Sequence, residues 1–204
     1  MAHLFRQILD FLALGYGAQG VAAASGVLTV ILIFSVIIVG TIMSGIEKIQ
    51  IVILSKLFSE RTALFICNYI TIAGTIIHEC AHALFATLSG AKVTEISFLD
   101  TKGNSLGHIS YVGRGPIFMR GIQDSLCACA PVFVGLICEF IIINQIFHGT
   151  YPIWGQIILW YLAISVIDHM SMSPIDIKHY FQGIWAVVPI VFAAVFCYGY
   201  FIVT

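Results

Sequence analysis

The chain reads as an all-α polytopic membrane protein, with about five transmembrane helices and one membrane-associated β-hairpin between the second and the third. Three observations predict this class. Of its 204 residues 60% are hydrophobic and 9% charged, with a mean hydropathy of +1.02, against about 25% charged in ordinary soluble domains. Five stretches approach the ~20 apolar residues that a bilayer crossing requires. The longest polar stretch, residues 89–124, holds two strand-like runs around a turn.

Taken in order, "HLFRQILDFLALGYG" places Leu4, Phe5, Ile8, Leu9 and Leu12 near helical spacing with Arg6 and Asp10 opposite. That pattern predicts an interfacial helix over residues 1–18. A signal peptide is the competitor, but Asp10 interrupts its apolar run. Spans are expected at 22–44, 62–88, 125–147, 153–172 and 184–203. In the polar stretch, "KVTEISFL" and "LGHISYV" flank "DTKGNS", which predicts a hairpin over 93–112. With no internal repeat or linker, residues 1–204 form one domain.

Lys and Arg in short loops set orientation. Five spans put Arg6, Lys92, Lys102, Arg114, Arg120 and Lys178 on one side and Lys48, Lys56 and Arg61 on the other. The bias predicts a cytoplasmic N-terminus and hairpin. A net charge of −1 leaves no basic surplus for a phosphate backbone, so nucleic acid is excluded as a partner. The six cysteines fall in or beside apolar runs, where a thiol packs as a small hydrophobe. Cys127 and Cys129 are spaced for soft metal, but nothing nearby completes a ligand set.

Within the second span, "TIIHECAHALFATLSG" places three polar groups in apolar surroundings, where an ionisable residue is costly and marks a functional site by default. Positions i and i+4 of a helix share a face, so His78 and His82 aim at one point. This is the H-E-x-x-H arrangement: the histidines hold zinc, and Glu79 activates a zinc-bound water whose pKa the metal lowers to about 7. Interhelical hydrogen bonding of the same three residues is the plainer alternative. Gly74, Ala81, Ala83, Ala86 and Gly90 are small enough to let other helices approach.

A third ligand must come from elsewhere, and "VIDHMSMSPIDIKHYFQG" supplies Asp168, His169, Asp176 and His179. Ser173 and Pro174 look like an N-cap and first helical residue, which gives Asp176 a capping role as its alternative. Depth in the membrane favours Asp176 as the ligand, with Asp168 second; His169 and His179 are expected at the interface. A break at Ser-x-Ser-Pro is tolerated within a membrane only where it is buried in protein or lines a cavity.

An H-E-x-x-H near the cytoplasmic end of a span, a hairpin after it, "AP" opening the next span and a late Pro-x-Asp resemble the site-2 protease family of intramembrane zinc metalloproteases. The resemblance covers roughly residues 62–183. It implies one Zn²⁺ per chain held by His78, His82 and Asp176, with Glu79 as the base, and cleavage of a membrane-embedded or membrane-attached protein or peptide. "SMSPIDIKH" keeps Pro174 and Asp176 without the family's Asn before the proline or Gly after the aspartate, which suggests a divergent, compact branch. No sensor domain is visible, so substrate choice falls to the membrane core, the hairpin or a regulatory membrane partner.

His108, in the second hairpin run, is an auxiliary candidate for stabilising charge on a substrate carbonyl, and an exposed hairpin histidine is its alternative. The hairpin edge is suited to capture an unwound segment by strand addition. Glu139, mid-span, is either structural or paired across the bundle. Trp154, Trp160 and Trp185 read as interface anchors. The expected location is a cell membrane of bacterial or archaeal type with the active-site opening on the cytoplasmic side. Two rival functions remain at this level: a non-catalytic metal-binding membrane protein that binds a partner, and a zinc-dependent hydrolase of a lipid-linked substrate.

Overall fold

The structure, a computed structural model, describes residues 1–12, 15, 17–98 and 107–203. It is a helical bundle with one two-stranded sheet. Helix α1 covers Ala2–Leu12 and α2 covers Ala18–Leu57. Then follow α3 (Glu60–Phe65), a π-helical segment Ile66–Ile70, and α4 (Ile72–Leu88). Strands β1 (Lys92–Ser97) and β2 (His108–Val112) lead to α5 (Ile117–His148), α6 (Ile153–His169) and α7 (Pro174–Val203).

Three helices, α2, α5 and α7, are long and apolar enough to cross a membrane, and the bent pair α3–α4 raises the number to four if it is one span. Helix α6, at 17 residues, is shorter. Each expected span lies within or overlaps one of these elements, but the boundaries move for physical reasons. The 22–44 stretch is the centre of a 40-residue helix. The 62–88 stretch is bent by 52° at a break, where the Thr71 amide reaches the Ile66 carbonyl and the Thr71 hydroxyl donates to the Cys67 carbonyl. A π-helical turn inserted in this way is a recognised cause of a kink.

Helix α6 stops at His169, short of the expected 172, because Met170–Ser173 are non-helical. Helix α7 starts at Pro174, ten residues before the expected 184, because Ser173 and Asp176 cap it. The Asp176 amide donates to Ser173 Oγ (3.1 Å) and the Ser173 amide to Asp176 Oδ2 (2.9 Å), a reciprocal capping box. Against α5, Phe118 meets Trp185, Gly121 meets Gly183, and Ser125 donates to the Tyr180 carbonyl. Helix α7 therefore runs antiparallel to α5. Helix α6, joined to α5 by a short turn and with Met170 against Gly135, does the same. The two helices run in one sense, and the expected fourth and fifth spans do not form an antiparallel pair.

The amphipathic face of α1 turns inward. Phe5 and Leu9 are buried with Val21, Ala24, Leu28 and Val195, and the Phe5 ring fills the space above Gly199. Residues 13, 14 and 16 of the predicted 1–18 helix lie outside the described residues.

Helix α4 ends in a Schellman motif. Gly90, at φ +87°, turns the chain, Ala91 N–H reaches the Ala86 carbonyl and Gly90 N–H the Thr87 carbonyl, and the left-handed backbone suits glycine. The turn aims β1 back along the helix. The strands pair antiparallel, Lys92 opposite Val112 and Ser97 opposite His108, with a bulge between Val93 and Glu95. The expected "DTKGNS" turn lies outside the described residues. Val93, Ile109 and Tyr111 pack on Ala86, Ala91 and Cys127, which seats the hairpin over the H-E-x-x-H helix.

Candidate metal centre

Helix α4 is positioned first by its contact with α6. A Cβ on Gly74 would lie 1.8 Å from the Ser165 carbonyl oxygen, so only glycine permits this approach. Ser165 Oγ donates to the Thr71 carbonyl (2.6 Å) and accepts from the Gly74 amide (2.8 Å). The Gly74 amide also donates to the Thr71 carbonyl (3.0 Å), so the hydroxyl braces from α6 the same two backbone groups that bond each other at the bend. One turn further along, the same contact delivers His78 to the end of α6.

Both histidine rings are held through Nδ1. His78 Nδ1 lies 2.5 Å from the His169 carbonyl oxygen and His82 Nδ1 lies 2.8 Å from that of Cys127. Each acceptor exists because a helix is interrupted. His169 closes α6, where the last carbonyls have no helical donor. Cys127 stands four residues before Pro131, which lies inside α5 and has no N–H to give it. The "AP" pair read as opening the third span is therefore in the interior of α5, and its position frees a ligand-holding carbonyl.

A carbonyl only accepts, so both Nδ1 atoms carry a proton, and when the rings are neutral both Nε2 atoms present a lone pair. These two lone pairs face each other at 3.0 Å. Asp176 Oδ1 lies 3.5 Å from His82 Nε2, and all three ligand atoms fall within 4.8 Å of one another. Three convergent electron pairs in a largely buried site repel unless a cation sits among them. Two imidazoles and a carboxylate, the rings fixed by outer carbonyls, make a group that could hold a metal ion. Among the described residues, no other His, Cys, Asp or Glu group has this arrangement. The two Asp176 oxygens divide the work: Oδ2 caps α7 and Oδ1 faces the histidines.

Glu79 is buried beside them. It lines a cavity of about 260 Å³ together with His78, His82, Asp176, His108 and His179. The residue leading into β2 approaches so closely that a Cβ on Gly107 would lie 2.8 Å from Glu79 Cγ. Tyr111, from the same strand, donates to Asp124 Oδ1 at 3.1 Å. Burial pushes its hydroxyl well above the usual phenol range, so it stays a donor. Gln123, buried in α5, donates to the carbonyls of Ser89 and Arg114 and accepts from the Arg114 amide. That side chain ties the end of α4 to the hairpin exit.

The residues singled out from sequence separate clearly. His78, Glu79, His82 and Asp176 come together with His108 at the rim. Asp168 does not join them; it is buried and accepts from Gln50 of α2 at 3.1 Å. His169 serves through its carbonyl, and His179, expected at the interface, lines the cavity instead. Glu139 is buried with neither oxygen hydrogen-bonded among the described residues. Gln123 and the Pro131–Cys127 pair were not anticipated, although a proline four residues after a carbonyl is a readable signal that the carbonyl is free.

No protein-family model, curated protein or solved structure matches the chain.

Proposed function

We propose that this chain is an intramembrane zinc metallopeptidase of the site-2 protease type, hydrolysing a peptide bond of a membrane-embedded or membrane-attached protein or peptide. The observation that supports the reading is the convergence of His78 Nε2, His82 Nε2 and Asp176 Oδ1, with both Nδ1 protons committed to carbonyls, beside a buried carboxylate in a cavity. His78, His82 and Asp176 would hold one Zn²⁺, and zinc, when bound, supplies Lewis-acid polarisation of the substrate carbonyl. Glu79 takes a proton from the attacking water as the C–O bond forms, then returns it to the amide nitrogen as the C–N bond breaks.

The substrate enters as an extended segment. A peptide bond inside a helix is shielded by its own hydrogen bonds, and each hairpin strand keeps one edge without a strand partner among the described residues. Strand addition there would satisfy the backbone that unwinding exposes. The membrane crossings in this reading are α2, the bent α3–α4, α5, and the interrupted α6–α7, a revision of the five expected. Lys92, Arg114 and Arg120 flank the hairpin and the start of α5, and such clustering supports a cytoplasmic opening.

The test is zinc content of detergent-purified protein, followed by cleavage of membrane peptides. The expected result is one zinc per chain in the wild type, lost in His78→Ala, sharply reduced in Asp176→Ala and retained in an inactive Glu79→Gln. A folded, metal-reconstituted wild type without zinc sinks the reading. Zinc-dependent function that survives Glu79→Gln replaces it with partner binding, and turnover of a lipid-linked probe without any peptide replaces it with a lipid-directed hydrolase.

A further inference from the structure

Two histidines line the cavity without belonging to the ligand set. His108 arrives from β2 and His179 from α7. His179 follows Asp176 by three residues, which puts both on one side of the helix. Its ring nitrogens lie outside the convergent group formed by His78, His82 and Asp176. The Nδ1 atoms of His78, His82 and His169 each meet a backbone carbonyl. That of His179 is buried and has no hydrogen-bond partner among the described residues.

A buried polar nitrogen without a partner is unfavourable, and such groups in a native structure call for an explanation. A turn of the ring brings that nitrogen to the cavity that His179 lines, where an entering ligand can partner it. A neutral imidazole always carries one N–H, so His179 brings a donor to a cavity in which the carboxylates of Glu79 and Asp176 are acceptors when ionised.

We propose that His179 is a catalytic residue, donating a ring N–H to the scissile carbonyl oxygen as that oxygen becomes anionic. The inference rests on the peptidase reading. In hydrolysis the carbonyl π electrons move onto this oxygen as water attacks, and they return when the C–N bond breaks. A fixed donor in a site that excludes water stabilises the anionic stage most, and losing one such donor typically slows turnover by about 10²–10³-fold.

The test compares two non-donors, His179→Ala and His179→Leu, with one donor, His179→Gln. Three quantities are read on zinc-loaded protein in detergent: zinc content, affinity for acetohydroxamate as a metal-directed probe, and affinity for an N-acetylated phosphinic leucyl-leucine mimic whose tetrahedral centre carries anionic oxygen. The expected result is wild-type zinc and hydroxamate binding in all three variants. Phosphinate affinity should fall at least tenfold in His179→Ala and His179→Leu and recover in His179→Gln. If His179→Ala does not fold, His179→Leu against His179→Gln gives the same comparison. A loss below threefold in both non-donors, or equal loss in all three variants, overturns the role of His179 and leaves the peptidase reading standing. Loss of zinc in all three overturns it in favour of a metal-holding role. A wild type that binds neither zinc nor probe overturns the peptidase reading and this inference together.

Discussion

The end of the bundle around Phe5 and the layer around Asp176 are both buried, yet they are held by different forces. Around Phe5 the buried side chains that meet, Leu9, Val21, Ala24, Leu28 and Val195, are all apolar. The nearby hydroxyls of Ser25 and Thr29 bond back to carbonyls of their own helix. Packing there is non-directional and asks only for volume and shape. Around Asp176 the opposite holds: each ring and carboxylate is fixed by a hydrogen bond to backbone that a broken helix has released. The difference teaches that around Asp176 the groups freed by irregular backbone, costly in a membrane, are used to hold side chains.

Substitutions should respect this division. The largest expected effect is Phe5→Ala, which vacates the space above Gly199 and should lower stability by about 3 kcal/mol, read as the thermal midpoint in detergent. Zinc content should not change; a loss of zinc there would break the division. Next is Asp176→Asn. An asparagine oxygen still caps α7, so the metal-free midpoint should hold, while zinc affinity should fall by about a hundredfold or more, as expected for loss of an anionic ligand. A drop in the metal-free midpoint would show that charge, not the cap, secures α7.

A smaller effect is expected from Pro131→Ala. The restored amide at 131 competes for the Cys127 carbonyl and loosens His82, so zinc affinity should fall about tenfold, the lower range for loss of an outer partner, without loss of helix stability. Unchanged affinity in a metal titration would show that the carbonyl does not orient the ring. Smallest is Tyr111→Phe, which removes the bond to Asp124 and should cost about 1 kcal/mol, visible as faster proteolysis of the hairpin at constant zinc content. A fall in zinc would mean that the strand and the metal site are not separable.

Features set by short-range spacing were legible in the sequence. His78 and His82 at i and i+4, the Ser173–Pro174 helix start and the alternating runs of the hairpin are local patterns, and the structure contains each as a local element. Features decided by distant partners were not. Nothing near Asp168 announces Gln50, and nothing in the hydropathy of 153–172 and 184–203 records that the two helices run the same way. The bend at 66–71 contains neither proline nor glycine, so its cause, a π-helical turn braced by Ser165 of another helix, left no local mark. His179 could have been found, since three residues after Asp176 is the same helix face.

The three side chains that could hold a metal come from opposite halves of the chain, two from α4 and the third from the start of α7. During synthesis the histidines leave the ribosome on the order of ten seconds before Asp176, at the usual rate of elongation. An unfinished chain therefore carries two ligands and no anionic third. Under the proposed function, metal capture is then a late step of biogenesis, and a product that ends before α7 lacks the carboxylate that completes the group.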